Sequence, residues 1–222
     1  MLANSLLRAV GVAAEPVECT FTDIAVDGVT RTTYTFSGMD LGEAASNRYI
    51  VVVAGNYDSG VKTLSSMTIG GESATEVLSV SDNGCVVSIG IAAVPTGATG
   101  DVAITWSGTT VRCGIGVYRL VNLQSSTPTA TASDTSEDSG VLSASLEIPS
   151  DGCGIGYVVA LGDGGARTWT WTNLTEDFDA SMEETTTHSG AMSTTAGTLA
   201  RTATASGSLN FFHTTLALAA WR

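Results

Sequence analysis

The residues that could do chemistry include four cysteines, two of which begin a repeated CGIG motif, at Cys113 and at Cys153. Zinc sites need four ligands, commonly with two of them in C-x-x-C spacing, and here each cysteine stands alone without a nearby histidine. A phosphate-binding glycine loop must open a helix, whereas both motifs continue into strand-like residues, VYRL and YVVAL. Alternation places each cysteine on one face of a strand and its glycines on the other. The motif therefore predicts two equivalent core strands with buried, unpaired thiols.

The chain has two histidines, His188 and His213, as candidate general bases for nucleophilic catalysis. His213 lies in the alternating run LNFFHTTLALAAWR, which predicts a terminal strand with a structural histidine. His188 lies in ETTTHSG, and the chain has no G-x-S-x-G nucleophile elbow. These patterns predict no enzyme, no catalytic residue, no cofactor and no metal ion.

Acidic residues are concentrated in the stretch LTEDFDASMEETTTH. They are Glu176, Asp177, Asp179, Glu183 and Glu184. Such clusters can hold Ca²⁺ or supply the two carboxylates of a glycoside hydrolase. The spacing matches no EF-hand loop, and the glycine that such a loop requires is missing. We favour a solvated surface loop for residues 176–184, with Ca²⁺ binding and hydrolysis as the alternatives.

Two tryptophans, Trp169 and Trp171 in the run RTWTWTN, fall on one face of a predicted strand. If the two rings are exposed, they form a platform on which a host glycan could stack. We favour the other interpretation, a pair of core or sheet-packing aromatics, because large rings dominate core energetics. Exposure of the two rings decides between these interpretations.

Composition and charge limit the partners of this 222-residue chain. Hydrophobic residues make up 43% and charged residues 14%, which is ample for a buried core. Nine basic residues against 22 acidic ones give a formal net charge of −13. Phosphate backbones and anionic membrane surfaces repel such a chain, so we predict neither direct nucleic-acid binding nor membrane binding. High negative charge instead favours solubility in crowded assemblies.

The beginning of the chain, MLANSLLRAVGVAAEP, differs from a secretory signal. It has no basic region before its apolar part, and Arg8 interrupts that part. No later apolar run approaches the roughly 20 residues of a membrane span. We therefore expect the cysteines to stay reduced.

Alternating hydrophobicity over short runs predicts an all-β fold. NRYIVVVAGNY reads as a strand buried on both faces, whereas DVAITWSG and VLSASLEIP read as half-buried strands. Turn signals such as SDNGC and IGGES separate the runs, which favours hairpins over crossover helices. About a dozen strands and no ordinary helix after residue 15 predict an antiparallel β-sandwich or jelly roll.

The chain divides into a short arm and a β domain. Residues 1–15 place Leu2, Leu6 and Val10 on one helical face, which predicts a docking arm or short helix with these residues as its interface. The alternative is that the arm packs on its own domain. Residues 16–222 form the β-sandwich domain, with a candidate linker at 124–140. We favour one sandwich with a long loop over two stacked sandwiches.

Several runs carry a resemblance: SNRYIVVVAGNY, LSSMTIGGESATEV, VPTGATGDVAITWS and the terminal LALAAWR. From about Tyr34 onward the chain resembles virion-associated β-sandwich proteins of tailed bacteriophages and gene-transfer-agent-like elements. The resemblance implies a structural virion protein that decorates or cements a capsid or forms a head spike. Its expected partners are the phage major capsid protein, other virion proteins and further copies of itself. The alternative is a receptor-binding or glycan-binding module of a fibre or tail.

Overall fold

A computed structural model describes residues 15–137, 141–162, 168–182, 185–193, 199–207 and 211–222, and for residues 199–207 and 211–212 it describes the backbone alone. The predicted interface residues Leu2, Leu6 and Val10 lie outside the described residues, as do Glu183 and Glu184. The fold is all-β, as the alternation predicts. Among the described residues, no helix has the length and apolar character needed to cross a membrane.

The first half of the chain forms two antiparallel sheets. The first inner sheet has the strand order β1-β9-β3-β7-β6, and the first outer sheet has the order β2-β8-β4-β5. Their strands are β1 (Glu18–Asp27), β2 (Arg31–Asp40), β3 (Tyr49–Tyr57), β4 (Leu64–Ile69), β5 (Glu72–Ser73), β6 (Thr75–Asp82), β7 (Cys85–Ala93), β8 (Thr99–Thr110) and β9 (Arg112–Val121).

The second half repeats this arrangement. The second inner sheet has the order β10-β17-β12-β15-β14, and the second outer sheet has the order β11-β16-β13. Their strands are β10 (Ala130–Glu137), β11 (Val141–Ile148), β12 (Cys153–Gly162), β13 (Trp169–Thr172), β14 (Thr175–Ser181), β15 (Thr186–Ser193), β16 (Leu199–Gly207) and β17 (Phe211–Trp221). Strand for strand, the two halves have the same topology, and β5 is the additional strand of the first half.

The four sheets stack in layers, outer, inner, inner, outer, around three apolar cores. One core lies within each sandwich, between its inner and its outer sheet. The third core lies between the two inner sheets. The central strands β3 and β12 face each other in this middle core, and the edge strand β6 lies beside the edge strand β10. The two sandwiches therefore pack with inner sheet against inner sheet.

The preference for a single sandwich differs from the structure, whereas the possible subdivision near 124–140 falls where the two halves meet, because β9 ends at Val121 and β10 begins at Ala130. Two stacked sandwiches are present, not one sandwich with a long surface loop. Within the predicted linker 124–140, residues 130–137 form the strand β10, which pairs with β17 along its whole length. Its Ser, Thr and Ala composition resembles a linker, but backbone hydrogen bonding to a neighbouring strand is indifferent to that composition.

Several strand predictions are confirmed. β3 is buried on both faces, as the continuous apolar run predicts. β8 buries Val102, Ile104 and Trp106, and β11 alternates strictly between exposed and buried residues. The turn signal SDNG forms the hairpin between β6 and β7, with Asn83 and Gly84 at φ angles of 41° and 103°.

The CGIG motifs lie on strands that are not equivalent in the repeat, which corrects the sequence-based expectation. Cys113 is on β9, whose counterpart in the second half is β17, whereas Cys153 is on β12, whose counterpart is β3. Cys113 faces the core of the first sandwich, and Cys153 faces the middle core. The predicted division of faces is nevertheless confirmed, because both cysteines are buried and the glycines of each motif face the adjoining layer.

The buried guanidinium of Arg48 forms hydrogen bonds with loops of the first sandwich. Arg48 is almost completely buried, and its guanidinium donates five hydrogen bonds to backbone carbonyls, with donor–acceptor distances between 2.6 and 3.2 Å. The acceptors are the carbonyls of Leu41, Gly42, Val94, Thr96 and Gly97. Burial lowers the pKa of Arg48, and the nearby Arg119 lowers it further. These hydrogen bonds satisfy the buried charge without a carboxylate partner.

The glycine face of the first CGIG motif yields a stability test. A methyl group at Gly116 would lie 2.6 Å from Phe178 Cε1 and 2.8 Å from its Cζ, so the second sandwich would have to shift. We expect Gly116→Ala to lower the free energy of unfolding by about 1–3 kcal/mol in chemical denaturation, the usual cost of overpacking a core.

The matched control for that variant is Gly60→Ala. At Gly60 the nearest heavy atom that an added methyl group would meet is Lys62 Nζ, at 3.8 Å. We expect this change to stay within about 0.5 kcal/mol of the parent, as surface substitutions usually do. Equal effects of the two variants would contradict close packing of the inner sheets at Gly116.

Candidate functional site

Polar side chains in the middle core are the first candidate site. His188 lies on β15 opposite Val159 of β12, and its side chain is fully buried. Its Nδ1 atom is 2.8 Å from the Tyr157 hydroxyl oxygen, which is also 3.1 Å from the carbonyl oxygen of Gly114 on β9. The absence of a side chain at Gly114 makes room for the imidazole, since a Cβ there would lie 2.8 Å from His188 Cε1.

These distances indicate which atoms of Tyr157 and His188 carry the hydrogen-bonding protons. If the Tyr157 hydroxyl donates to the Gly114 carbonyl, its oxygen accepts the Nδ1–H of His188. His188 Nε2, which has no hydrogen-bond partner among the described residues, then carries only a lone pair. That arrangement costs less than burying an unpaired N–H. Burial lowers the pKa of His188 to about 3, so the ring is neutral at neutral pH.

A carboxyl group lies in the same layer. Asp177 is the extra residue at a β-bulge between Glu176 and Phe178. Burial raises the pKa of Asp177 to about 6, and the Tyr118 hydroxyl opposes this rise. Burial also raises the pKa of Tyr118 well above its usual value. The bulge thus turns one carboxyl group of a partly buried strand toward the middle core.

The acidic stretch does not gather its carboxylates at one point. Asp177 faces Tyr118 in the middle core, whereas Asp179 Oδ2 accepts a 2.8 Å hydrogen bond from the backbone N–H of Trp169. Glu176 is on the exposed side of the strand. These three residues form part of strand β14, so the surface-loop interpretation is wrong for the described part of the stretch. Within that part, no three carboxylates lie close enough together to hold one ion.

The predicted glycan platform is replaced by core packing. Trp169 is only 3% exposed, and Trp171 is partly buried against the core of the second sandwich. Their indole N–H groups donate to Thr187 Oγ1 at 3.2 Å and to Ser189 Oγ at 2.8 Å. The structure therefore agrees with the favoured core-packing interpretation and not with the exposed platform, because β13 turns the shared face of the pair toward the inner sheet.

A second cluster lies at the rim of the two sandwiches. It joins Asp82 at the end of β6, Glu137 at the end of β10 and His213 on β17, with one ligand atom from each within 4.8 Å of the others. His213 Nδ1 is 3.3 Å from Asp82 Oδ2, and His213 Nε2 is 3.3 Å from Asn83 Nδ2. Sequence reasoning placed His213 on a terminal strand, which is confirmed, but missed this cluster. Its members are far apart along the chain, and no spacing motif connects them.

The two edge strands also border a groove of about 530 Å³. It is lined by residues 75–77 at the start of β6 and by residues 126–131, which lead into β10. The lining is mainly threonine and serine with the carboxylate of Glu76. The groove and the rim cluster lie at opposite ends of the same pair of edge strands.

All four cysteines are buried and free. Burial raises the pKa of Cys85 to about 12 and also raises that of Cys113. Cys19 lies beside Cys153, and a hydrogen bond to Cys153, together with burial, raises the pKa of Cys19 well above its usual value. Because the thiolate is the reactive form, these thiols are inert in the folded protein.

The neutral state of His188 predicts a pH effect on stability. The pKa of His188 is about 3 in the folded protein and about 6.5 in an unfolded chain, so between these values the unfolded state binds more protons. The free energy of unfolding therefore falls as the pH drops below 6.5, by at most about 1.4 kcal/mol per pH unit. Between pH 6.5 and 5.0 we expect the parent to lose about 1.6 kcal/mol more than His188→Gln in urea denaturation.

The comparison with His188→Gln isolates the histidine. Asp177 acts in the opposite direction, since its raised pKa makes the folded state bind more protons between pH 4 and 6, and both proteins contain it. Equal losses in the two proteins would contradict a buried neutral ring. An independent measurement is the imidazole Cε1–H resonance of His188, which should not titrate above pH 5.

The buried thiols predict selective labelling. The native protein should react with a thiol reagent such as DTNB at well under one equivalent per chain, whereas the protein in denaturant should react at all four cysteines. Rapid labelling of Cys113 or Cys153 without denaturant, located by mass spectrometry, would show that these strands open.

Comparison with known proteins identifies no relative of this chain. The chain matches no protein-family model, no curated protein and no solved structure.

Proposed function

We propose that this chain is a structural virion protein, a capsid decoration or cement protein or a head-spike component, that docks through its N-terminal arm. In this proposal the double sandwich is a preformed body, and residues 1–15 bind the phage major capsid protein or another virion protein. Many copies around one particle would make a modest contact effective by mass action.

The observation that carries the proposal is the place where the arm leaves the body. The Val17 N–H donates to the Asp151 carbonyl at 2.8 Å, and the Asn122 side chain donates to the Pro16 carbonyl at 3.1 Å. Residues 16 and 17 are therefore fixed at the junction of the two sandwiches. An arm that starts from a fixed point is presented in a restricted set of directions, which reduces the entropy lost on docking.

The other chain end lies at the same junction. The Gln124 N–H donates to the Arg222 carbonyl at 2.8 Å, and the Arg222 guanidinium lies 3.9 Å from an Asp151 carboxylate oxygen. Arg222, the connection between the sandwiches and the base of the arm thus lie together at one end of the body. This geometry suits a protein attached at one end and projecting from a surface.

Charge and packing support the same function. The net charge of −13 keeps neighbouring copies apart at high local concentration. The sandwiches are joined by an apolar core and by hydrogen bonds across it, so that the body can transmit load without hinge motion. The glycan-binding alternative depends on exposed tryptophans, and the burial of Trp169 removes its basis.

Deletion of residues 1–13 tests the proposal. We expect the truncated protein to keep its β-sheet circular dichroism and its unfolding midpoint, because the described fold begins after these residues. We expect it to lose co-sedimentation with particles of the phage or gene-transfer agent that encodes it. Co-sedimentation equal to that of the full chain would contradict the docking function of the arm.

A point-substitution pair sharpens this test. Replacing Leu2, Leu6 and Val10 together by Ser removes the apolar face of the arm and should weaken particle binding at least tenfold. The matched control replaces the three exposed valines of the body, Val29, Val61 and Val141, by Ser. The control should bind as the parent does, and equal losses in the two triple variants would overturn the assignment to the arm.

A further inference from the structure

The rim cluster of Asp82, Glu137 and His213 brings together three residues that are far apart along the chain. Asp82 belongs to the first sandwich, whereas Glu137 and His213 belong to the second and face each other directly in the antiparallel register of β10 and β17. The side chains of Asp82 and His213 are mostly buried, at 14% and 20% exposure. Glu137 is exposed, so the cluster is open to solvent on one side.

The strands hold these side chains in place. Asp82 pairs with Cys85 across the tight turn at Asn83 and Gly84. A side chain at Gly84 would collide with the carbonyl of Asp58, which shows how closely this turn packs on the preceding loop. The main chain of His213 is also tied to the first sandwich, because its carbonyl accepts the Cys85 thiol at 3.6 Å.

The donor set is chemically suited to a divalent transition metal. One imidazole and two carboxylates are ligands that Zn²⁺ accepts, with bonds of about 2.0–2.2 Å. Two such ligands at a tetrahedral angle lie about 3.4 Å apart, and the Asp82 Oδ2 to His213 Nδ1 distance is 3.3 Å. Three protein ligands leave a fourth position for water.

The second nitrogen of His213 already has a suitable neighbour. Nε2 is 3.3 Å from the Asn83 side-chain amide. When Nδ1 ligates a metal, Nε2 carries the proton, and a half-turn of the Asn83 amide presents its oxygen as the acceptor. A hydrogen bond of this kind to the second ring nitrogen fixes the orientation of metal-bound histidines. The negative charge of the whole chain further favours a cation.

We propose that Asp82, Glu137 and His213 form a Zn²⁺ site that clips the two sandwiches together at their rim. The site is independent of the docking arm and of any particle. Because the ligands come from both halves, the folded arrangement binds the metal and the separated sandwiches do not, so the ion stabilises the stacked state.

The test is titration of the metal-free full-length protein with Zn²⁺. Calorimetry should give one ion per chain, and Zn²⁺ should raise the unfolding temperature until a chelator is added. Co²⁺ in place of Zn²⁺ should give the intense visible absorption of a tetrahedral site. Asp82→Asn, Glu137→Gln and His213→Gln should each weaken Zn²⁺ binding by more than about tenfold.

The matched control is Glu72→Gln, an equal change of charge at an exposed position of the first outer sheet. It should bind Zn²⁺ as the parent does. If His213→Gln fails to fold, the change at the exposed Glu137 decides alone. Absence of stoichiometric binding, or binding that the three ligand variants leave unchanged, would overturn the proposal.

Discussion

The structure depends on one constraint, which is that the central strands of both inner sheets are buried on both faces. β3 and β12 have almost no residue that can face water, and β7 and β9 are nearly as apolar. A sheet of this kind is stable only when it is covered twice. Each inner sheet is covered on one face by its own outer sheet and on the other by the inner sheet of the second half. Four layers and three cores follow from that requirement.

The polar groups of the middle core decide how the two halves meet. Apolar packing alone would tolerate sliding of one inner sheet over the other, whereas hydrogen bonds have defined positions. The Tyr157 hydroxyl donates a hydrogen bond to the Gly114 carbonyl, and the Thr215 hydroxyl donates one to the Cys85 carbonyl. The Arg112 guanidinium donates to the Thr186 hydroxyl at 3.2 Å. Each of these bonds crosses between the sandwiches, and each would be lost if the halves slid apart. These bonds therefore fix one position of each inner sheet relative to the other.

Sequence patterns predicted the burial of residues correctly where a strand has one environment along its length. The alternation in β8 and β11 and the apolar run of β3 predict their burial, because a period of two is a local property of extended chain. The same patterns failed where the deciding partner is distant. β10 has the composition of a linker, and its strand character comes from pairing with β17 at the far end of the chain. The sequence favours the burial of Trp169, but the sheet that covers β13 is decided only by the tertiary structure.

By itself the amino-acid sequence determined that this protein is an acidic, antiparallel all-β protein whose cysteines lie in its core. Those properties follow from composition, turn residues and two-residue periodicity, and all of them act over a few neighbouring residues. Only the tertiary structure decided that the chain folds as two stacked copies of one topology, that the CGIG strands are not equivalent, and that Asp82, Glu137 and His213 share one rim. These features arise from pairing between segments that are distant in sequence, and local periodicity carries no information about which distant segments will meet.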